Sequence, residues 1–572
     1  MLAPTKSEQA SYTVAPLSRT LMVIEVVLPI VLLVLGIYHG FLQALYRAGI
    51  IHSGSFAGLN YYQGLTLHGV INAVVLTTFF GVVFGNALIS YYLRKALIPA
   101  VHLTSTSMMV GGTLIAAVPM LLGKADVLYT FYPPLKAHPA FYIGAALLVV
   151  GSWVAFFGWI PLVRQWMREN PSHPLPLAIV GILVTFLIWF LCTIPLAIEV
   201  LFMLIPWSLG WVEAINIPLA RTLFWFFGHP LVYFWLLPAY IVYYVMLPRV
   251  AGGKLYSPYA ARLAFLLFLV LSIPVGLHHQ YTEPGFDRFW KGVHALLTFG
   301  VAIPSFITAF TVAASLEYAG VRRGAKGLFG WMAKLPWLDA ERPIFAYSIA
   351  GLIIFIFGGI TGIVNASYNL NQTIHNTGFI SGHFHMTVGG PVFLIILGMS
   401  LELFSQLTGK PIRGRGWNIA VPYLWMLGIF IFSPAMMYGG LLGQPRRTNM
   451  GLSYLDPSSP HFRADWVPSA MLTGIGAAVM TLAFLVYLGV WIATIAGPAT
   501  RPAGEISFPT AEGLHPEVSM ASIVARLRPW VVIALLLIAV SYWEPLRQAF
   551  RTPEKALPYE PDNPTPALQV RK

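Results

Sequence analysis

Six histidines stand in apolar surroundings where an imidazole needs a partner: His68, His229, His278, His279, His383 and His385. Such a ring is costly in lipid unless it is paired or ligated, and six are more than ordinary helix packing asks for. In Gly382-His383-Phe384-His385 the two histidines are i, i+2, about 200° apart on a helix. They cannot share one metal. They suit a helix wedged between two cofactors, and His68 can supply a second axial ligand on one side. His278 and His279 are adjacent and follow Pro274 and Gly276, so a broken last turn can aim both rings at one ion. His229 can make a third ligand, and three neutral nitrogens suit copper or zinc. Tyr233 is at i+4 from His229, on the same helix face, where a phenol beside a metal-bound imidazole can give a proton and an electron.

The elements that position these residues follow from composition. Of 572 residues, 57% are hydrophobic and 10% charged, against roughly 25% charged in ordinary soluble domains. The solvent for most of the surface is therefore lipid. The net charge of +13 sits in short loops between apolar runs and does not point to nucleic acid. One cysteine, Cys192, rules out a disulfide scaffold and an iron–sulfur cluster held by this chain alone.

About 20 apolar residues span ~30 Å of hydrocarbon. Thirteen such runs are expected, an all-α polytopic membrane protein: near 21–46, 63–93, 99–122, 139–166, 174–206, 219–249, 260–280, 288–318, 342–365, 380–407, 416–440, 466–495 and 527–548. The first run is too long for a signal-peptide core and is expected to be retained. With the N-terminus inside, inner segments hold 20 of the 34 Lys and Arg and outer loops hold eight, an asymmetry that puts the N-terminus in the cytoplasm and the C-terminus outside. The expected organisation is a cytoplasmic segment 1–20, a transmembrane domain 21–548 with an inner linker at 497–526, and an outer tail 549–572. This span order brings the six histidines to the outer part of the membrane.

A second set of polar residues points inward. Tyr233, Tyr240 and Tyr244 are i, i+7, i+11, within about 40° of one helix face. Ser305, Thr308 and Thr311 are i, i+3, i+6 on another helix, and Ser257 lies near the inner mouth. Hydroxyls in series with water can relay protons, although Ser and Thr also serve ordinary packing between membrane helices.

The segments YYQGLTLHG (61–69), YTFYPPLKAH (129–138), FGHPLVYFWLLPAY (227–240), PVGLHHQ (274–280), NASYNLNQTIHNTGFISGHFH (365–385) and QPRR (444–447) resemble the catalytic subunit of haem–copper oxidases, cytochrome c oxidase subunit I, over about residues 60–450. The B-type branch, found in thermophilic bacteria and archaea, is the nearest in pattern. A-type members carry a glutamate directly after His-Pro, where this chain has Leu231, so the A-type D proton channel is not expected.

The resemblance implies that His68 and His385 are axial ligands of a low-spin haem, b-type. It implies that His383 holds a high-spin a-type haem and that His229, His278 and His279 bind copper B. It implies a covalent link between Tyr233 and His229, and a role for the phenol as proton and electron donor during O–O cleavage. Arg446 and Arg447 become partners of the haem propionates, since paired guanidiniums suit carboxylates. B-type relatives have Asp four residues before the histidine matching His375; here that residue is Asn371. Asn cannot carry the proton, which leaves His375 as the titratable group. The tyrosine and hydroxyl stripe matches the B-type K-like channel.

The implied enzyme is a terminal respiratory oxidase in a bacterial or archaeal inner membrane, reducing dioxygen to water and translocating protons. Electrons must come from a partner. The expected one is a subunit II bearing copper A and fed by cytochrome c, and a small single-helix subunit is compatible with the family. Quinol oxidase is an alternative, because the donor is not encoded here. Nitric oxide reductase is another; that branch lacks the active-site tyrosine and uses glutamates around its iron, so H-P-x-x-Y argues against it. A transporter with structural histidines is the non-enzyme alternative.

Overall fold

The computed structural model describes residues 10–51, 60–447, 462–552 and 555–556. Thirteen apolar helices form the bundle among the described residues: Pro16–Arg47 (α1), Tyr61–Leu93 (α2), Pro99–Leu121 (α3), Pro139–Glu169 (α4), Leu177–Ser208 (α5), Ile217–Val250 (α6), Pro258–Leu271 (α7), Arg288–Arg322 (α8), Ile344–Ala366 (α9), Gly378–Thr408 (α10), Arg415–Leu441 (α11), Ala464–Ala496 (α12) and Leu527–Arg551 (α13). Proline at the first turn opens α1, α3, α4 and α7, where its missing N–H costs nothing. Helix α1 thus starts at Pro16, earlier than residue 21.

Twelve of these helices are long and apolar enough to cross a membrane; α7 is the shorter one. The expected single helix over 260–280 is corrected: α7 has 14 residues, only ~21 Å of rise. The chain then breaks, because Pro274 cannot donate to the helix, and resumes as a 3₁₀ turn at Gly276–Gln280. The apolar run is continuous through this break, which is why it reads as one span.

The helices differ in how enclosed they are. The crossing windows of α2, α5, α6 and α10 are 78%, 72%, 89% and 72% buried, whereas those of α8 and α13 are 28% and 22% buried. Enclosed helices are apolar on all sides, so α2, α6 and α10 carry their histidines inward against protein rather than lipid. Four π turns interrupt the described helices: Ile71–Val75, Val200–Leu204, Val242–Met246 and Val388–Val392.

Two short antiparallel strand pairs close the ends. Tyr12–Thr13 pairs with Glu505–Ile506, and Ile215–Asn216 pairs with Lys555–Ala556. The N-terminal segment is thereby tied to the linker after α12, and the C-terminal segment to the loop between α5 and α6. The expected tail 549–572 begins inside α13, and most of it lies outside the described residues.

Candidate metal centres

A cavity of about 680 Å³ runs between α1, α2, α6, α8, α9, α10 and α11, and all six histidines line it. Its lining is mostly apolar, so the imidazole nitrogens are among the few polar atoms it offers.

His68 on α2 and His385 on α10 face each other with ring centroids 6.2 Å apart and planes 12° from parallel. Two imidazoles that share one metal at ~2 Å per nitrogen need about that separation. Their outer nitrogens are committed. His68 Nδ1 donates to Gly36 O at 2.9 Å, and His385 Nδ1 donates to Ser381 O at 2.8 Å. Each Nε2 is then a bare acceptor, the tautomer a metal ligand requires. Gly40 makes the approach possible, since a Cβ there would lie 2.5 Å from the His68 ring.

His383 turns the other way, toward α9. Its Nδ1 is 2.9 Å from Thr361 Oγ1, and that hydroxyl donates to Gly358 O at 2.8 Å. Thr361 must therefore accept from His383 Nδ1–H, which again frees Nε2. The two faces argued from the i, i+2 spacing are the two faces found.

The third group is His229, His278 and His279, whose ligand atoms all lie within 4.8 Å of one another. His229 Nδ1 is 3.3 Å from His279 Nε2, and His229 Nε2 is 3.2 Å from the Tyr233 hydroxyl. His278 Nδ1 donates to Thr298 Oγ1 at 2.9 Å, and Thr298 donates in turn to His294 O at 2.5 Å. His279 is stacked on Trp225, with centroids 3.7 Å apart and planes at 7°. The broken turn that carries the pair is held from α13: Gly276 N–H donates to the Tyr542 hydroxyl at 2.8 Å. Gly276 is required there, because a Cβ would sit 2.1 Å from Trp225 O.

At one end of the cavity stand Arg446 and Arg447. Arg447 donates to Thr130 Oγ1 and to the Tyr129 hydroxyl at 3.2 and 3.3 Å, over the Tyr129 ring. Arg446 donates to Asn376 Oδ1 at 3.2 Å, but its buried Nε has no partner among the described residues. Burial, and then the Arg447 charge, push Arg446 down to about 9. A cation in this state fits a carboxylate that a bound group would bring. His375 Nδ1 donates to Asn371 Oδ1 at 3.2 Å, and Asn371 Nδ2 donates to Asn365 O at 2.8 Å. Burial, then Arg446 and Arg221, hold His375 down at about 4.

The hydroxyl stripe is only partly joined. Tyr244 donates to Thr308 at 2.5 Å, and Thr308 donates to Pro304 O at 2.7 Å. The Tyr240 hydroxyl and Thr311 Oγ1 are buried and make no hydrogen bond of good geometry among the described residues, although Ser305 and Thr308 lie near Tyr240. Tyr240, Ser305 and Thr308 line the metal-site cavity. Ser305 is hydrogen-bonded back to Val301 O at 3.3 Å. Ser257 caps α7 by accepting Ala260 N–H at 3.1 Å and is not joined to this chain of hydroxyls.

Sequence reasoning did not find Thr298, Thr361, Trp225, Tyr542 or Gly40. None carries a motif: a threonine inside a membrane helix normally satisfies its own backbone, and Tyr542 lies far from Gly276 in sequence.

The chain matches the family profile for cytochrome C and quinol oxidase polypeptide I over residues 20–479. It is 43% identical over 499 residues to a cytochrome c oxidase subunit 1 of Thermus thermophilus, covering 86% of this chain and 87% of that one. It is 25% identical over 465 residues, 75% of each chain, to an alternative cytochrome c oxidase subunit 1 of Bradyrhizobium diazoefficiens. Its structure superposes with a TM-score of 0.94 on a cryo-EM structure of a heme-copper terminal oxidase dimer, with 50% sequence identity and 97% of each chain covered.

Proposed function

The chain belongs to the cytochrome c and quinol oxidase polypeptide I family and is the catalytic subunit of a haem–copper terminal oxidase; from that premise we propose a role for each part of the cavity. His68 and His385 hold a low-spin b-type haem, His383 holds a high-spin a-type haem, and His229, His278 and His279 hold copper B. When bound, these groups carry electrons to dioxygen and reduce it to water. Tyr233, linked covalently to His229, supplies a proton and an electron at its phenol oxygen. Arg446 and Arg447 neutralise the haem carboxylates. His375 is the titratable group beside them, because Asn371 cannot carry a proton.

The observation that carries this reading is the three-imidazole set with a phenol at its edge: ligand atoms within 4.8 Å of one another and the Tyr233 hydroxyl 3.2 Å from His229 Nε2. Three neutral nitrogens fit copper, and no glutamate or aspartate joins the set among the described residues.

Electrons come from cytochrome c through a subunit that bears copper A, as a chain with one cysteine has no thiolate pair for that centre. Protons for chemistry and for pumping enter from the cytoplasm along Thr311, Thr308, Tyr244 and Tyr240 to Tyr233, with water bridging the gaps. The chain sits in the cell membrane with its N-terminus in the cytoplasm and its C-terminus outside.

The test is the reduced-minus-oxidised spectrum and metal content of the purified complex beside its His68→Ala variant. The expected variant loses the low-spin haem band and keeps copper. A normal low-spin band in His68→Ala contradicts the assignment of His68 to that haem.

A further inference from the structure

The metal cavity and the hydroxyl stripe leave unused two fully buried acids, Glu25, which is paired with His102, Thr106 and Asn86, and Glu199, which is not paired among the described residues. Glu199 on α5 is 0% exposed, and neither of its carboxyl oxygens has a hydrogen-bond partner among the described residues. Helix α5 is as enclosed as α10 yet supplies no ligand. An unpaired carboxylate is among the most expensive groups inside a membrane, and ionisable residues kept there mark proton or ion routes.

The π turns give a second, independent sign. Three of the four begin two or three residues after a group already placed in the site: Ile71–Val75 after His68, Val242–Met246 after Tyr240, and Val388–Val392 after His385. The fourth, Val200–Leu204, begins at the residue after Glu199. Single π turns recur at functional positions in helices. In this one Ile205 N–H reaches back to Val200 O, five residues away, and a carbonyl left over by that shift is an acceptor for water beside the acid.

Its place in the fold is the third observation. Glu199 is two turns beyond Cys192 on the same face of α5, i, i+7, about 10 Å along the axis. Cys192 lies near Tyr542, the residue that holds Gly276 in the copper turn. Tyr142 on α4 lies near Glu199, and its hydroxyl accepts Ala137 N–H in the loop between α3 and α4. Glu199 therefore stands beyond the metal centre, toward the end of the bundle opposite Tyr244 and Thr311.

We propose that Glu199 is a proton-binding site on the far side of the metal centre from the hydroxyl stripe. It rests as a neutral carboxylic acid. Its O–H bond breaks to give the proton to an ordered water, forming hydronium, and the carboxylate regains a proton from a later hydronium; no electron moves. What drives the exchange rests on the oxidase reading, whereas the presence of the neutral acid does not.

The experiment is the reduced-minus-oxidised infrared difference spectrum of the purified complex, recorded in H₂O and D₂O with the haem bands followed on the same sample. The parent is expected to show a carbonyl-stretch signal of a protonated carboxylic acid that shifts in D₂O. That signal is expected to vanish in Glu199→Gln and to persist at a displaced frequency in Glu199→Asp. A parent spectrum with no such signal, or an identical signal in parent and Glu199→Gln, overturns the proposal. If Glu199→Gln does not assemble, the Asp variant decides, since an undisplaced band cannot belong to this residue. Haem bands that respond while the carboxyl signal is silent reject Glu199 alone; a sample without haem bands rejects the oxidase reading itself.

Discussion

In the histidine region of the cavity, four of the six rings are anchored by the nitrogen that faces away from the metal position: His68 and His385 by backbone carbonyls, His383 and His278 by threonine hydroxyls that are themselves fixed. In the hydroxyl region two of the polar groups are left open. Among the described residues Tyr240 and Thr311 make no hydrogen bond of good geometry, and within the stripe only Tyr244 and Thr308 are joined to each other. A metal site needs one tautomer and one ring orientation, so its outer hydrogen bonds are made permanently. A proton relay must exchange partners at every turnover, and a fully satisfied chain would have to break bonds to do so. Rigid outer contacts in one region and open hydroxyls in the other are what the proposed metal site and the proposed proton relay would each require.

The sharpest way to break the comparison is at the copper set. His279→Ala is expected to lower copper to near zero, with both haems retained and oxygen reduction lost; full copper occupancy by elemental analysis contradicts the ligand assignment. Tyr233→Phe comes next. It keeps the ring and removes the ionisable proton, so haem and copper stay while turnover falls by on the order of 10²-fold or more. Activity within a few-fold of the parent shows that the phenol is not a donor.

A smaller effect separates anchoring from ligation. Thr298→Val removes the acceptor for His278 Nδ1–H without touching a ligand nitrogen. Loss of such an outer partner typically costs roughly 10–100-fold in metal affinity, and competition with a copper chelator measures it. Thr361→Val serves as the control, with copper affinity unchanged and the high-spin haem band altered. The smallest change belongs to the stripe. Thr311→Val beside Tyr244→Phe is expected to slow oxygen consumption and leave the spectra as in the parent. Full rates in both variants mean that the stripe is helix packing and that protons enter elsewhere.

How much of this was legible in the sequence divides along the same line. The candidate ligands were legible because an imidazole in an apolar run stands out, and the i, i+2 spacing of His383 and His385 already separates two faces. The anchors were not, because Thr298 and Thr361 look like any threonine bonded to its own helix. Tyr542 reaches Gly276 only through the packing of α13 against the broken turn, and no spacing records that contact. Pro274 announced the break in the seventh span, but the apolar residues on both sides hid how early α7 ends. The proposed relay was legible only as a face of hydroxyls, while the assignment of Ser257 to a helix cap depends on the local backbone that only the fold supplies.

The central claim is that this one cavity holds two haems and one copper through six imidazoles. Elemental analysis of the purified complex together with its reduced-minus-oxidised optical spectrum tests it most directly. The expected result is two haem irons per copper bound to this chain, with separate low-spin and high-spin haem signals and any copper of a partner subunit counted apart. A complex with no haem bands, or with a third iron in place of the copper at His229, His278 and His279, contradicts it.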